Sequence, residues 1–187
     1  MFSVYQEPQI INNFLPLEIC DSIIKKSKCV LYDSVFVDTT TNEEKFNRRI
    51  RVCKTAYLDR NEPEITEVLN RCTKHTNKTL RHCELPMILN YKPGGYFKPH
   101  QDGNLTDKNK RIYTILISLN DEYEGGETEF PLLNKKFRLP KGDALLWYDC
   151  DLNKNLTKLS LHAGNEVISG EKWITTVWIR DFPIEIN

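Results

Sequence analysis

The spacing of apolar residues changes character near residue 85. Before it, two stretches repeat hydrophobic positions at helical intervals: Ile19, Cys20, Ile23 and Ile24 behind Pro16, then Ile65, Val68, Leu69 and Cys72 behind Pro63. Proline suits the first turn of a helix, where its missing N–H has no partner to lose, and apolar residues three and four apart build one buried stripe. The spacing therefore predicts a first helix that closes on Lys25, Lys26 and Lys28, where positive charge meets the negative end of the helix dipole. A second helix is predicted from Pro63 to near Asn77. Residues 8–15, 30–37 and 50–58, rich in β-branched and aromatic types, read as strands. Between the last two, residues 38–48 are polar and read as a long loop, a type that often serves as a lid.

From Leu85 onward the chain becomes a series of short extended runs separated by turn residues: 85–91, 96–102, 111–119, 127–130, 136–139, 143–149, 160–163 and 172–180. Two helices followed by about eight short strands predict a mainly β fold with packed α-helices. The expected architecture is a double-stranded β-helix (jelly-roll, cupin-like) core carrying the N-terminal helices on its outside. A chain of 187 residues suits one domain, 1–187, with support from 1–84 and a β core over 85–181.

Composition narrows the partners. Lys plus Arg and Asp plus Glu are both 26, so no net field draws the chain to nucleic acid or to an anionic membrane. The first ten residues lack a basic segment leading into an apolar core, and no run approaches the ~20 apolar residues that span a bilayer. A cytoplasmic location is expected. The cysteines at 20, 29, 53, 72, 83 and 150 show no Cys-x-x-Cys pair and read as reduced thiols. His75 and His82 read as surface or helix-end residues, and the sequons at Asn77, Asn104 and Asn155 as chance.

The chemistry gathers in Tyr91-Lys-Pro-Gly-Gly-Tyr-Phe-Lys-Pro-His100-Gln-Asp102. On a strand, His100 and Asp102 point to one face. With His162, in Ser160-Leu-His-Ala-Gly164, they make up the two-histidine, one-carboxylate set that suits non-haem Fe(II). The same three residue types also suit a catalytic zinc. In the last strand Lys172, Ile174, Thr176, Trp178 and Arg180 share one side. A lysine in so apolar a strand either reaches water at the strand's mouth or meets the carboxylate of a bound organic acid.

Five ordered blocks resemble the prolyl 4-hydroxylase family of Fe(II)/2-oxoglutarate-dependent dioxygenases. They are Tyr91-x-x-Gly94 with His100-x-Asp102; Arg111-x-x-Thr114 with Leu119-Asn120; Gly125-Gly-Glu-Thr128 with Pro131; Gly142-Asp-Ala-Leu145; and Ser160-Leu-His162-Ala-Gly164 with Gly170-Glu-Lys172-Trp173. The resemblance runs from about Phe14 to Arg180. It implies that His100, Asp102 and His162 hold Fe(II), that Lys172 pairs with the distal carboxylate of 2-oxoglutarate, and that Tyr91 and Thr128 donate to that carboxylate. Arg111, Trp178 and Phe97 would lie on the side of the substrate, a proline-containing peptide or protein. O2 would be consumed, 2-oxoglutarate would leave as succinate and CO2, and ascorbate would act as reductant. The family usually carries tyrosine where Phe97 stands and an aromatic residue where Ser118 stands, so Ser118 is expected to leave space near the co-substrate. Hydroxylation of a free amino acid or other small molecule is the alternative within this chemistry. A zinc-dependent hydrolase and a non-catalytic cupin are the alternatives outside it.

Overall fold

The computed structural model describes residues 5–37, 44, 45, 47, 49–103 and 107–185. Strand β1 (Gln9–Ile11) leads to helix α1 (Leu17–Ser27), and four two-residue strands follow: β2 (Tyr32–Asp33), β3 (Phe36–Val37), β4 (Glu44–Lys45) and β5 (Arg51–Val52). Then come β6 (Lys54–Ala56), α2 (Pro63–His75), β7 (Met87–Tyr91), β8 (Tyr96–His100), β9 (Arg111–Ser118), β10 (Tyr123–Gly125) and β11 (Thr128–Phe130). The chain ends with β12 (Lys135–Phe137), β13 (Ala144–Tyr148), β14 (His162–Gly164), β15 (Val167–Gly170) and β16 (Lys172–Arg180).

Two antiparallel sheets face each other. The larger has the order β1-β13-β9-β16-β7-β6-β2 and the smaller β12-β11-β14-β8-β5. This is the expected mainly β jelly-roll. Because strand side chains alternate, β9 serves two cores at once. Ile115 and Ile117 pack outward with Ile23, Ile65, Val68 and Cys72 of the two helices. Leu116 points inward with Leu89, Tyr91, Leu145, Trp147 and Ile174, against Phe130 of the smaller sheet. β16 divides in the same way, with Val177 and Ile179 toward the helices and Ile174 toward the second sheet.

The sequence pattern overestimates several strands. The stretch 8–15 keeps only Gln9–Ile11, because Asn13 turns into the left-handed region (φ 53°) and donates its N–H to Asp143 Oδ1 at 2.8 Å. The stretch 50–58 divides at Cys53: β5 pairs with β8 in the smaller sheet and β6 with β7 in the larger, so one extended segment turns the corner between sheets. The stretch 30–37 likewise becomes β2 and β3. The short pair β10 and β15 was not apparent from the pattern. Of the loop 38–48, Glu44–Lys45 forms β4 against β3, while 38–43, 46 and 48 lie outside the described residues. All six cysteines are unpaired, as the lack of paired spacing suggested.

Ile117 is fully buried between the larger sheet and the helices and faces away from the inner core. Ile117→Ala is expected to cost about 2–5 kcal/mol of unfolding free energy, read from urea denaturation, with the residues of the inner face left in place.

Candidate metal centre

Pairing of β8 with β14 sets His100 directly opposite His162, with a register irregularity immediately beyond. Each imidazole is pinned by its Nδ1, which lies 2.8 Å from Lys98 O in His100 and 2.9 Å from Ser160 O in His162. Nδ1 therefore carries the proton and each Nε2 keeps a lone pair. Those lone pairs converge on Asp102, at 3.6 Å from Oδ1 for His100 and 3.7 Å from Oδ2 for His162. One ligand atom from each of the three residues lies within 4.8 Å of the others. With no proton between them, two lone pairs and a carboxylate repel one another. A cation resolves that repulsion, so the donor set fits a divalent metal.

The surroundings keep the set in the state a metal requires. Burial, reinforced by His162, pushes the His100 imidazole down to about 3, so it is neutral at physiological pH. Burial alone would push the Asp102 carboxyl up, but His162, His100, Arg111 and the Thr114 hydroxyl together hold it below its ordinary value. Thr114 Oγ1 lies 2.9 Å from Asp102 Oδ2. Phe97 stacks on His100 with centroids 3.5 Å apart, and Trp147 closes on His162 at 4.7 Å.

These residues form one end of a cavity of about 50 Å³ whose wall includes Tyr91, Thr128, Lys172, Trp178 and Phe97. Lys172 is 4% exposed, so it does not reach water at the strand's mouth. Its ammonium donates to Gly126 O at 2.6 Å and meets no carboxylate among the described residues. Gly126 permits this approach: at φ +67° a Cβ there would stand 3.2 Å from Lys172 Cδ. Burial pushes the Lys172 ammonium down to about 8, against the pull of Glu127 and Cys53. The Tyr91 ring lies 5.5 Å from the ammonium, and Tyr91 is the cross-strand partner of Lys172.

His100, Asp102, His162, Lys172, Tyr91, Thr128, Trp178 and Phe97 thus share one cavity, and Arg111 does not line it. The Arg111 guanidinium grips Glu84 through two bonds of 2.7 Å, donates to Asp102 O at 3.1 Å, and stacks 3.9 Å over the Trp178 ring. It braces the site from behind. Ser118 opens no space, because it is buried outside the cavity lining, donates to Asn120 O at 2.8 Å and lies beside the Tyr123 phenol.

Arg51, unmarked in the sequence pattern, lines the cavity, stacks 4.6 Å over Phe97 and donates from Nε to Cys53 Sγ at 3.0 Å. Its alternation with Val52 looks like that of a solvated strand residue. Only the corner at Cys53 turns it inward.

Residues 86–180 match the 2OG-Fe(II) oxygenase superfamily. The chain is 32% identical over 189 residues to a prolyl 4-hydroxylase homologue of Acanthamoeba polyphaga mimivirus, covering 95% of this chain and 75% of that protein. It is 30% identical over 192 residues to prolyl 4-hydroxylase 1 of Arabidopsis thaliana, covering 91% and 68%. The viral collagen prolyl hydroxylase of Paramecium Bursaria Chlorella virus-1, solved as a 2OG complex, superposes with a TM-score of 0.76 at 27% identity, covering 95% and 97%.

If His100, Asp102 and His162 bind one divalent ion, Mn(II) at a hundred times its dissociation constant raises the unfolding free energy by about 2.7 kcal/mol. A chelator should remove that increment and His162→Ala should abolish it; urea denaturation with and without metal reads both.

Proposed function

The chain belongs to the prolyl 4-hydroxylase family within the 2OG-Fe(II) oxygenase superfamily, and on that premise we propose that it hydroxylates prolyl residues of a peptide or protein. The observation that carries the reading is the buried ammonium of Lys172, without a carboxylate partner among the described residues, in the same small cavity as the His100, Asp102 and His162 donors. Bound Fe(II), 2-oxoglutarate and O2 supply the oxidising chemistry, in which the co-substrate is decarboxylated to succinate and CO2 and one oxygen atom is placed on a prolyl carbon.

Each residue has a task that follows from its surroundings. His100 and His162, with their Nδ1 protons committed to backbone carbonyls, present Nε2 and cannot rotate away without losing those bonds. Lys172 exchanges its Gly126 carbonyl partner for the distal carboxylate of 2-oxoglutarate, with Tyr91 and Thr128 on the same wall to donate to it. Leu89, Leu116 and Ile174 close the cavity against water, which strengthens that ion pair and protects the reaction from side products. Trp178, stacked on Arg111, and Phe97, stacked on His100, offer flat apolar faces suited to a proline ring. A zinc-dependent hydrolase would need an activated water and would have no use for a buried ammonium.

The finer parts of the proposal extend this scheme. Residues 1–187 act as one catalytic unit, in which 1–84 contribute both helices and strands β1, β2, β5 and β6 to the core over 85–181. Ascorbate serves as reductant and the setting is cytoplasmic, in keeping with six free thiols. Among the described residues no helix is long and apolar enough to cross a membrane.

Mass spectrometry of proline-rich peptides, with free proline as comparison, tests the substrate. One added oxygen on the peptide, dependent on iron and 2-oxoglutarate, is the expected result, and turnover of free proline alone would refute it. Lys172 supplies a further test with a definite sign. Its folded-state value near 8 lies below the ordinary 10.5, so between those values the unfolded chain binds more protons. The cost of burying the ammonium is therefore fully present below about pH 8 and is relieved as the pH rises toward 10.5. Lys172→Met should stabilise the ligand-free protein at neutral pH while weakening 2-oxoglutarate binding by about 2–5 kcal/mol. In the wild-type protein, calorimetry should show 2-oxoglutarate affinity falling as the ammonium deprotonates above about pH 8.

A further inference from the structure

A second carboxyl group stands behind Asp102, outside the cavity lining and without a task in the scheme above. Asp149 follows β13 and is fully buried. Its Oδ2 lies 2.9 Å from Thr114 Oγ1, and the same Oγ1 lies 2.9 Å from Asp102 Oδ2. Thr114 is held in place by its neighbours across the sheet, Trp147 on one side and Trp178 on the other.

A threonine hydroxyl has one hydrogen to donate. Two carboxylates that both accept from it would leave one of the two 2.9 Å contacts as a repulsion between lone pairs. The missing proton must sit on one of the acids. Asp102 is the worse holder, because two imidazoles and Arg111 surround it and its role as a ligand requires the charged form. Asp149 is the better one. Its Oδ1 is buried without a hydrogen-bond partner, and no cation forms an ion pair with it among the described residues. An ionised carboxylate needs several donors to remain buried, whereas the carbonyl oxygen of a neutral acid needs far less. Among the described residues, the groups facing Asp149 include no uncommitted cation to hold it ionised. From β9 come Thr114 and Arg111, but the guanidinium is already committed to Glu84 and Asp102 O. From β13 comes the Trp147 indole, a neutral donor that with Thr114 and Arg111 is outweighed by burial, and from the N-terminal segment comes the Tyr5 phenol, itself neutral and pushed well up by burial and by Asp149. Burial, followed by the charge of Asp102, drives Asp149 the same way.

We propose that Asp149 is a positioning residue that acts as a neutral acid: its Oδ2–H donates to Thr114 Oγ1, whose own hydrogen donates to Asp102 Oδ2. The inference rests on the functional reading only in taking Asp102 as a metal ligand. The relay gives the Thr114 hydroxyl a single orientation, fixes which carboxylate oxygen of Asp102 is committed to the protein, and adds no second negative charge behind the metal. Partners of this kind commonly govern metal affinity by 10–100-fold.

The test compares the wild type with Asp149→Asn, Asp149→Ala and Thr114→Val by calorimetric titration with Mn(II) in the presence of 2-oxoglutarate. Asparagine is neutral and can still donate to Thr114, so Asp149→Asn should stay within about 3-fold of the wild-type Mn(II) affinity, while Asp149→Ala and Thr114→Val lose about 10–100-fold. An Asp149→Asn affinity as low as that of Thr114→Val would mean that a charged Asp149 is required and would overturn the proposal. No change in any variant would overturn it equally. A wild-type protein that binds no Mn(II) would instead defeat the functional reading on which the proposal stands. A second measurement needs no folded variant: in wild-type protein labelled with 13C at the aspartate carboxyl groups, one resonance should hold the chemical shift of a neutral acid at neutral pH. Its absence would refute the proposal.

Discussion

The register between β8 and β14 is the constraint on which the site depends. His100 stands opposite His162 in that ladder, and Asp102 follows two residues on. A slip of one residue would turn one imidazole to the far face of the smaller sheet and dissolve the donor set. The register is held from both ends. Thr128 pairs with Gly164 on the far edge of β14, and Phe97 pairs with both Gly164 and Arg51. At the level of the metal the Nδ1 bonds to Lys98 O and Ser160 O tie each ring to its own strand. The imidazoles are therefore positioned by backbone more than by side-chain packing, and backbone is the more rigid support.

A second consequence of two-residue alternation is that the larger sheet keeps stability and chemistry on opposite faces. Ile115, Ile117, Val177 and Ile179 bury themselves under α1 and α2, while Thr114, Leu116, Thr176 and Trp178 from the same two strands face the second sheet. The helical side is an ordinary apolar core. The other side carries polar groups that an efficient core would not contain. This division lets the site carry a buried ammonium without loosening the packing that holds the strands together.

What the sequence disclosed follows the same division. Both helices were legible because their apolar stripes have a fixed period. The His100, Asp102 and His162 set was legible because a strand places alternate residues on one face and the surrounding glycines and turns mark its ends. Lys172 was noticed because a lysine is out of place in an apolar strand, but only the fold decided between water and the cavity. Arg51, Glu84 and Asp149 escaped notice for one physical reason: each owes its role to partners far away in sequence. Arg51 is turned inward by a corner at Cys53, Glu84 is claimed by Arg111 and Arg180 at 2.6–2.7 Å, and Asp149 meets Asp102 only through Thr114. The corner itself was invisible because both of its halves are β-forming, and hydrophobic pattern does not say which sheet a strand joins. The same limit hides the engagements of Arg111 with Glu84 and of Ser118 with Asn120, both outside the cavity lining.

The polar groups buried in and around the cavity argue that stability has been given up there for chemistry. Among the described residues, the buried side-chain atoms without a hydrogen-bond partner are Trp178 Nε1, Trp147 Nε1, Asp149 Oδ1, the Tyr5 hydroxyl, Ser27 Oγ and Asn90 Oδ1. Two of these belong to residues that line the cavity, two belong to the shell around Asp149, and Ser27 and Asn90 lie outside the lining. To them is added Lys172, whose burial pushes its ammonium down while it donates to the Gly126 carbonyl. A fold selected for stability alone would fill this space with hydrophobic side chains. Retaining an ammonium, three metal donors and a proton-bearing acid here is understandable only if a bound anion and a cation satisfy them, so the ligands complete the core that the chain by itself leaves unfinished.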